Sequence, residues 1–395
     1  MPRPAIARAP GKLMIAGEYA VLTPGCAAII ATVDRFVTVT ASACANDIHD
    51  LEIDSDLLER CVALRQRGPH LKRVDGCDED PEGGSTAPLA SVAQTIRSLA
   101  AELGLPPIRA RLTVRSTLHE GGIKIGLGSS GAVTAAAVQA LTEFAGLPLR
   151  AEVRLRLGLL ASLTVNPAPS GGDVAASTWQ GWIRYSSPDR DALLGLLQRR
   201  GVLATLCAPW AGLSVRALPG PTAVSVQTGW TGMPASTGDR VGRLQSHPWW
   251  KSPHHQAFCH SSTRVVDDMC RALHDSNPAR LIDAVARAHT HLAELDAESG
   301  LGILTPELSV LCRTAYAAGG AAKVSGAGGG DCGIAVLPAA TDPRALHEQW
   351  QSQGIIPLSL DTAPAQGTQA PPDAGPLLTA PLRHSPDAPQ RRKNP

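Results

Sequence analysis

The residues best placed to do chemistry in this chain lie in and around three glycine-rich segments. The central one reads Gly126-Leu127-Gly128-Ser129-Ser130-Gly131 and leads into an alanine-rich stretch that ends near Ala145. A glycine loop feeding a helix N-terminus leaves backbone amides unpaired, and the helix dipole adds to their pull on phosphate. The hydroxyls of Ser129 and Ser130 can add a hydrogen bond and a metal contact. Taken alone, the same residues read equally well as a closely packed helix start capped by serine. The GxGxxG spacing also describes a dinucleotide fingerprint, which needs an acidic residue ending a second strand about 20 residues on. Glu152 stands near that distance but in a helical stretch, and no spacing ends in Gly-Lys-Ser/Thr, so the two commonest nucleotide folds are disfavoured.

The second segment, Ser325-Gly326-Ala327-Gly328-Gly329-Gly330-Asp331, has four glycines in the five residues 326–330, followed at once by an acid and an apolar strand. It reads as a flexible hairpin or as a backbone-lined nest for anions. The third is Ala9-Pro10-Gly11-Lys12 with Gly17-Glu18 behind it. Only six of the 36 basic residues are lysines, and Lys12, Lys124 and Lys323 fall inside or beside these segments, where a compact mobile charge is useful. Lys323 reads equally as a solvated charge. Asp173, after Gly171 and Gly172, is a candidate functional carboxylate whose plainer reading is a cap. The histidines, including His254, His255, His289 and His291, have no companion ligands at metal spacing.

The elements that must position these residues follow from pattern. At 395 residues, two domains are expected. A hydrophobic share of 44%, 18% charged residues and a net charge of +1 point to small-molecule partners rather than nucleic acid or a membrane surface. Nine scattered cysteines without a CxxC pair argue against a zinc cluster or a disulfide framework and for a reducing cytoplasm. No signal peptide is read, and the uncharged run from Ile125 to Thr142 reads as a buried helix rather than a membrane span.

Residues 13–22 and 27–40 read as strands split by Thr23-Pro24-Gly25, 65–87 as an exposed loop, and Leu89, Val92, Ala93, Ile96, Leu99 and Leu103 as one helical face. Residues 108–117 alternate as a half-buried strand. Further on, a helix near 150–164, strands near 178–185 and 222–228, and helices near 262–275, 278–298 and 305–318 are expected. Residues 362–395, rich in Pro, Ala and Gln, bury too little apolar surface to fold.

Together, and in this order, the three segments resemble the superfamily of galactose, homoserine, mevalonate and phosphomevalonate (GHMP) kinases, with their lysine segment, GLGSS loop and C-terminal glycine loop. Within it the likeness is to bacterial-type phosphomevalonate kinases. It is carried by Ala9 to Leu13 with Gly17 to Ala20, Lys124 with Gly126 to Gly131, Gly172-Asp173, Gly229-Trp230-Thr231 and Ser325 to Ile334, and it spans about residues 8 to 360. The resemblance implies an α+β, two-domain architecture: an S5-like ATP-binding domain over residues 1–210, a ferredoxin-like domain over 211–361, and a tail over 362–395.

It also implies a cytoplasmic kinase using ATP and Mg²⁺, with 5-phosphomevalonate as acceptor. Lys12, Lys124 and Asp173 would serve catalysis. Gly126, Leu127, Gly128, Ser129, Ser130 and Gly131 would hold the nucleotide, with Ser130 on the metal. Lys12, Ser170, Gly172, Ser325, Gly326, Ala327 and Gly328 would hold the acceptor. Mevalonate kinases carry a glutamate metal ligand eleven residues before the aspartate, where this chain has Ser162. Other readings are another GHMP-type enzyme, such as a mevalonate kinase or a diphosphomevalonate decarboxylase-like lyase, and a nucleotide-binding module without turnover.

Truncation just after the folded body, near residue 361, is expected to leave thermal stability and turnover nearly intact, because the tail has too little apolar surface to dock. A large loss of either, measured by thermal denaturation and a steady-state assay, would show that the tail is part of the body.

Overall fold

The turn Thr23-Pro24-Gly25 separates the two longest strands of the molecule, β1 (Ala5–Ala16) and β2 (Ala27–Ser42), which pair antiparallel from Ala5 opposite Ala41 to Ala16 opposite Ile29. The structure is a computed structural model that describes residues 3–44, 48–68, 70–74, 86–120 and 122–362. The pairing of β1 with β2 is irregular between Pro10 and Lys12, where the backbone N–H of Lys12 instead donates to Leu127 O at 2.8 Å. A bulge of this kind re-aims the side chain it carries.

Strands β3 (Leu51–Ser55), β4 (Val62–Arg67), β5 (His70–Arg73) and β6 (Ala110–Ser116) extend the sheet. Strands β7 (His119–Glu120) and β8 (Ile123–Lys124) make a separate hairpin, while β9 (Trp182–Ser186) and β10 (Ser214–Leu218) complete eight strands in the main sheet. Helices α1 (Ala87–Glu102), α2 (Ser129–Phe144), α3 (Ala151–Val165) and α4 (Gly172–Trp179) pack together on it, and α5 (Arg190–Cys207) packs on α1 and α3. Helix α2 is the central one. Its buried Ala132, Ala136, Ala137 and Ala140 let it lie close to β1 and β2.

The second sheet joins β11 (Val224–Trp230), β12 (Ala321–Val324), β13 (Cys332–Pro338) and β14 (Ile356–Leu358), antiparallel throughout in the order β12-β13-β11-β14. That order is the ferredoxin-like one. Between β11 and β12 run α6 (Thr237–Ser246), α7 (Pro253–His274), α8 (Pro278–Ser299) and α9 (Pro306–Ala317), and α10 (Arg344–Ser352) leads to β14. Ser252, Asn277 and Thr305 cap α7, α8 and α9, each accepting a first-turn amide, and each is followed by a proline that has no amide to satisfy.

Several expectations shift. Residues 65–67 and 70–73 belong to the hairpin β4–β5 rather than a loop, because Arg65 to Arg67 pair with His70 to Lys72; residues 75–85 lie outside the described residues. The stretch before Trp182 is helix α4, since Gly171 opens a helix whose Ala175 and Ala176 bury completely, and the strand starts only after Gly181. Helix α7 begins at Pro253, and α5 and α6 lie where no element was expected. Strand β10 pairs with β9, so the first sheet reaches Leu218, beyond the division drawn at 210. At the far end, Asp361 N–H donates to Asp34 Oδ1 and Thr362 bridges to Val33; the rest of the tail lies outside the described residues. No helix among the described residues is long and apolar enough to cross a membrane.

Candidate active site

A cavity of about 430 Å³ opens where the two sheets' loops meet, lined from the first unit by Lys12, Tyr19, Ser130 and Asp173 and from the second by Ala235 and Ala327. Lys12 lies along its floor. Its aliphatic chain rests on Gly128, where a Cβ would stand 2.9 Å from both Lys12 Cγ and Cε, and Gly128 itself has φ +75°. Only glycine fits there. The ammonium reaches the other loop, with Nζ 4.0 Å from the position of a Cβ on Gly326. One cation therefore touches both glycine nests.

Three helix N-termini face this space. Gly128 and Gly171, both left-handed, precede α2 and α4; no side chain caps α2, whereas at α4 Ser170 Oγ accepts from Gly172 N–H at 3.2 Å. Ser129 and Ser130 do not serve as caps, so the first-turn amides of α2 remain available to an anion. Asp173 does not cap α4 from outside but sits in its first turn, with Oδ1 accepting from Val174 N–H at 2.9 Å. Its carboxylate lies against the start of α2, where a Cβ on Gly131 would stand 2.6 Å from Asp173 Cγ. Ser130 and Asp173 also line an adjoining cavity of about 320 Å³ shared with Lys124, Gly131 and Ser162. The third N-terminus, at Ala235 to Gly238 of α6, has Ser236 as cap.

Beneath the C-terminal glycine loop, residues 325–331, lies a buried ion pair. Lys323, completely buried on β12, donates from Nζ to the Glu18 carboxylate and to Val324 O, with Met14 O at 3.5 Å. Burial pushes the ammonium below the ordinary lysine range, and the Glu18 charge opposes that shift. The same Glu18 oxygen accepts from Gly326 N–H at 3.4 Å. Beside it, Met14 N–H donates to Ser325 Oγ at 2.9 Å and Tyr19 OH donates to Ala327 O at 2.6 Å. Burial raises the Tyr19 phenol well above its ordinary value, which keeps it a donor. Tyr19 holds φ 59°, a conformation that a bulky residue keeps only where its surroundings over-determine it.

At the other end of that loop, Asp331 packs on Gly126 and accepts from Ala235 N–H at 3.1 Å. Burial pushes its carboxyl up, against the lowering effects of that amide, Lys12 and Arg240.

Of the residues expected at the site, Lys12, Lys124, Gly126, Gly128, Ser129, Ser130, Ser170, Asp173, Gly326 and Ala327 line the main cavity, and Gly131 lines the adjoining one. The others frame it. Leu127 is buried and offers its carbonyl to Lys12; Gly172 packs on Ile30 and Tyr185; the Ser325 hydroxyl is taken by Met14; Gly328 packs on Ile303. Lys323 is not a solvated charge.

Two features escaped the sequence reading. One is the α6 N-terminus. The other is Arg240, whose Nη2 donates to Gly329 O at 3.3 Å and whose guanidinium covers the C-terminal glycine loop. The signal was present in Ser236-Thr237-Gly238-Asp239, a helix-start pattern shortly after Gly229-Trp230-Thr231. Among the described residues no cluster of three or more His, Cys, Asp or Glu side chains is fit to hold a metal.

A lysine shared by two anion nests, in the cleft between an eight-stranded sheet and a ferredoxin-like sheet, is the frame of a small-molecule kinase of the GHMP type. The family models for the GHMP kinases N terminal domain and the GHMP kinases C terminal match residues 90–181 and 269–356, and the chain belongs to this family, in its phosphomevalonate kinase group. It is 45% identical to the phosphomevalonate kinase of Streptomyces sp. (strain CL190), over 91% of this chain and 98% of that protein. It is 27% identical to the mevalonate kinase of Aeropyrum pernix, over 89% of this chain and 94% of that one. Among solved structures, Streptococcus pneumoniae phosphomevalonate kinase in complex with phosphomevalonate and AMPPNP aligns with a TM-score of 0.78 at 26% identity, covering 91% of this chain and 99% of that chain.

The buried pair generates a prediction. Lys323→Met leaves the Glu18 carboxylate buried without its cation and is expected to cost about 3–5 kcal/mol in denaturant unfolding. Adding Glu18→Gln is expected to restore most of that loss. A single variant as stable as the parent would contradict the pairing.

Proposed function

We propose that the chain transfers the γ-phosphoryl group of ATP to the phosphate of 5-phosphomevalonate, giving ADP and 5-diphosphomevalonate in the mevalonate route to isoprenoids. The observation that carries this reading is the seat of Lys12, with its stem on Gly128 and its ammonium beside Gly326. Transfer between two phosphates brings two anions together, and the main obstacle is their repulsion. A fixed cation bordering both nests answers it. The names of the similar proteins support the acceptor.

In this reading the first-turn amides of α2 and the loop before it hold the nucleotide's phosphates, with Lys124 at the rim. The amides of Ala327 and Gly328, the Ser170 region and the α6 N-terminus hold the acceptor. The nucleophile is a phosphate oxygen, and a phosphate monoester with a second pKa near 6 is mostly dianionic at about pH 7. Asp173 then has little proton to remove and serves mainly to orient Lys12 and the acceptor.

Mg²⁺ fits the oxygens present, because such an ion typically takes one or two protein ligands and completes its shell with phosphate and water. Ser130 would supply the protein's share, and the ion would supply charge neutralisation between phosphates. The cytoplasm is the compartment we propose, in keeping with the free cysteines of the described residues.

The test is a panel of mevalonate, 5-phosphomevalonate, 5-diphosphomevalonate, homoserine and galactose, each with MgATP and scored for ADP, phosphorylated product and carbon dioxide. ADP and diphosphorylated product are expected from 5-phosphomevalonate alone. Turnover of mevalonate with none of its 5-phosphate would overturn the acceptor, and carbon dioxide from the diphosphate would favour the lyase.

The same reading ranks two variants at saturating substrates. Lys12→Met is expected to lower kcat by about 10²–10³-fold. Asp173→Asn is expected to lower it by only about tenfold. If Asp173→Asn proves the more damaging and rising pH partly rescues it, a base is required and an alcohol acceptor becomes the better reading.

A further inference from the structure

Asp331 closes the C-terminal glycine loop in a left-handed conformation, φ 52°, which aspartate and asparagine tolerate better than most residues with side chains. Its main chain clasps the turn that follows β11. The Asp331 N–H donates to Met233 O at 2.7 Å, and its carbonyl accepts from Thr231 N–H at 3.0 Å and from Thr231 Oγ1 at 3.1 Å. The side chain reaches further along the same segment, where Oδ1 accepts from Ala235 N–H at 3.1 Å. Ala235 immediately precedes Ser236, the cap of α6, so this bond falls at the helix start.

The carboxylate has little freedom. On its other side stands Gly126, where a Cβ would lie 2.5 Å from Asp331 Cβ and 3.0 Å from Oδ1. Beyond the helix start, Arg240 Nη2 donates to Gly329 O at 3.3 Å. Residues 236–238, which line the main cavity, therefore hang between two ties to one glycine loop. Met233, Pro234, Ser236 and Thr237 are exposed, so packing gives this segment little hold and the hydrogen bonds decide where it stands. A carboxylate beside two anion nests opposes the phosphates they would take. What it contributes there is placement.

We propose that Asp331 is a positioning residue for the acceptor: through its bond to Ala235 N–H it holds the start of α6 against the cavity and so sets acceptor affinity. This rests on the reading of α6 as part of the acceptor's seat. The main-chain bonds to Thr231 and Met233 survive a substitution at 331, so a side-chain variant isolates the step from turn to helix. Released there, the first-turn amides of α6 lose their fixed aim, and an anion binding them must order the segment again, which weakens binding. The nucleotide loop keeps its own anchor, Leu127 O on Lys12 N–H.

Two variants leave the backbone unstrained, because glycine and asparagine both accept this φ. Asp331→Gly deletes the hydrogen bond, whereas Asp331→Asn keeps an oxygen to receive it and removes only the charge. Hydrogen–deuterium exchange read by mass spectrometry on the full ligand-free chain is expected to quicken over residues 232–240 in Asp331→Gly and to stay near the parent's in Asp331→Asn. In steady-state assays Asp331→Gly is expected to raise the KM for 5-phosphomevalonate about tenfold, with the KM for ATP moving less than about twofold and kcat less than about threefold. Asp331→Asn is expected to bring the acceptor KM back to within about threefold of the parent's.

Unchanged exchange over residues 232–240 in Asp331→Gly would overturn the proposal. So would a rise in both KM values together, which marks a general loosening of the cleft. An acceptor KM raised about tenfold in Asp331→Asn would overturn it alone, whether or not Asp331→Gly folds, by assigning the role to the charge. If the parent does not use 5-phosphomevalonate at all, the acceptor reading falls, and the exchange measurement still decides whether Asp331 holds α6.

Discussion

The buried pair of Lys323 and Glu18 decides where the rest of the active site stands. Two charges taken out of water gain little net stability, since their desolvation offsets their attraction, but they tolerate only one geometry. Here that geometry joins the segment after β1 to the end of β12. With Glu18 also holding Gly326 N–H, Ser325 holding Met14 N–H and Tyr19 holding Ala327 O, the lysine segment and the C-terminal glycine loop have one fixed register. Lys12 lies six residues before Glu18 in the chain, so its ammonium inherits that register.

The electrostatics built on this frame are mostly backbone. The uncapped N-terminus of α2 and a glycine nest offer partial positive charge to anions, and side-chain cations are few. Acidic groups near the nests are positioned rather than numerous: Asp173 lies against Gly131 and Asp331 against Gly126. Ser162, where mevalonate kinases carry a metal-binding glutamate, lines the adjoining cavity with a hydroxyl. An acceptor that already carries charge has less need of an added carboxylate than an alcohol has.

Much of this was legible in the chain. The GLGSS loop entering an alanine-rich helix, the capped and proline-led starts of α8 and α9, the alternation of β6 and the glycine run before β13 are local signals, and local physics acts on them directly. Arg65 to Arg73 misled because charge and a nearby glycine suggest a loop, whereas an exposed edge hairpin tolerates both. Helix α4 misled because its apolar residues suit either period until Gly171 and the packing on α2 select the helix.

By itself the sequence determined the three motifs, their order, the family they indicate and the residue types available for phosphate. It also determined which stretches could become helix or strand, because periodicity, caps and glycines act within a few residues. Only the tertiary structure decided that Lys323 is the buried counter-charge of Glu18 rather than a surface lysine, and that Arg240 and the start of α6 complete the C-terminal glycine loop. It alone decided that Ser325 and Gly328 hold the frame while Gly326 and Ala327 face the cavity. The physical reason is separation: Glu18 and Lys323 lie 305 residues apart, and whether a charge is solvated or buried depends on what folds over it, which no local pattern records.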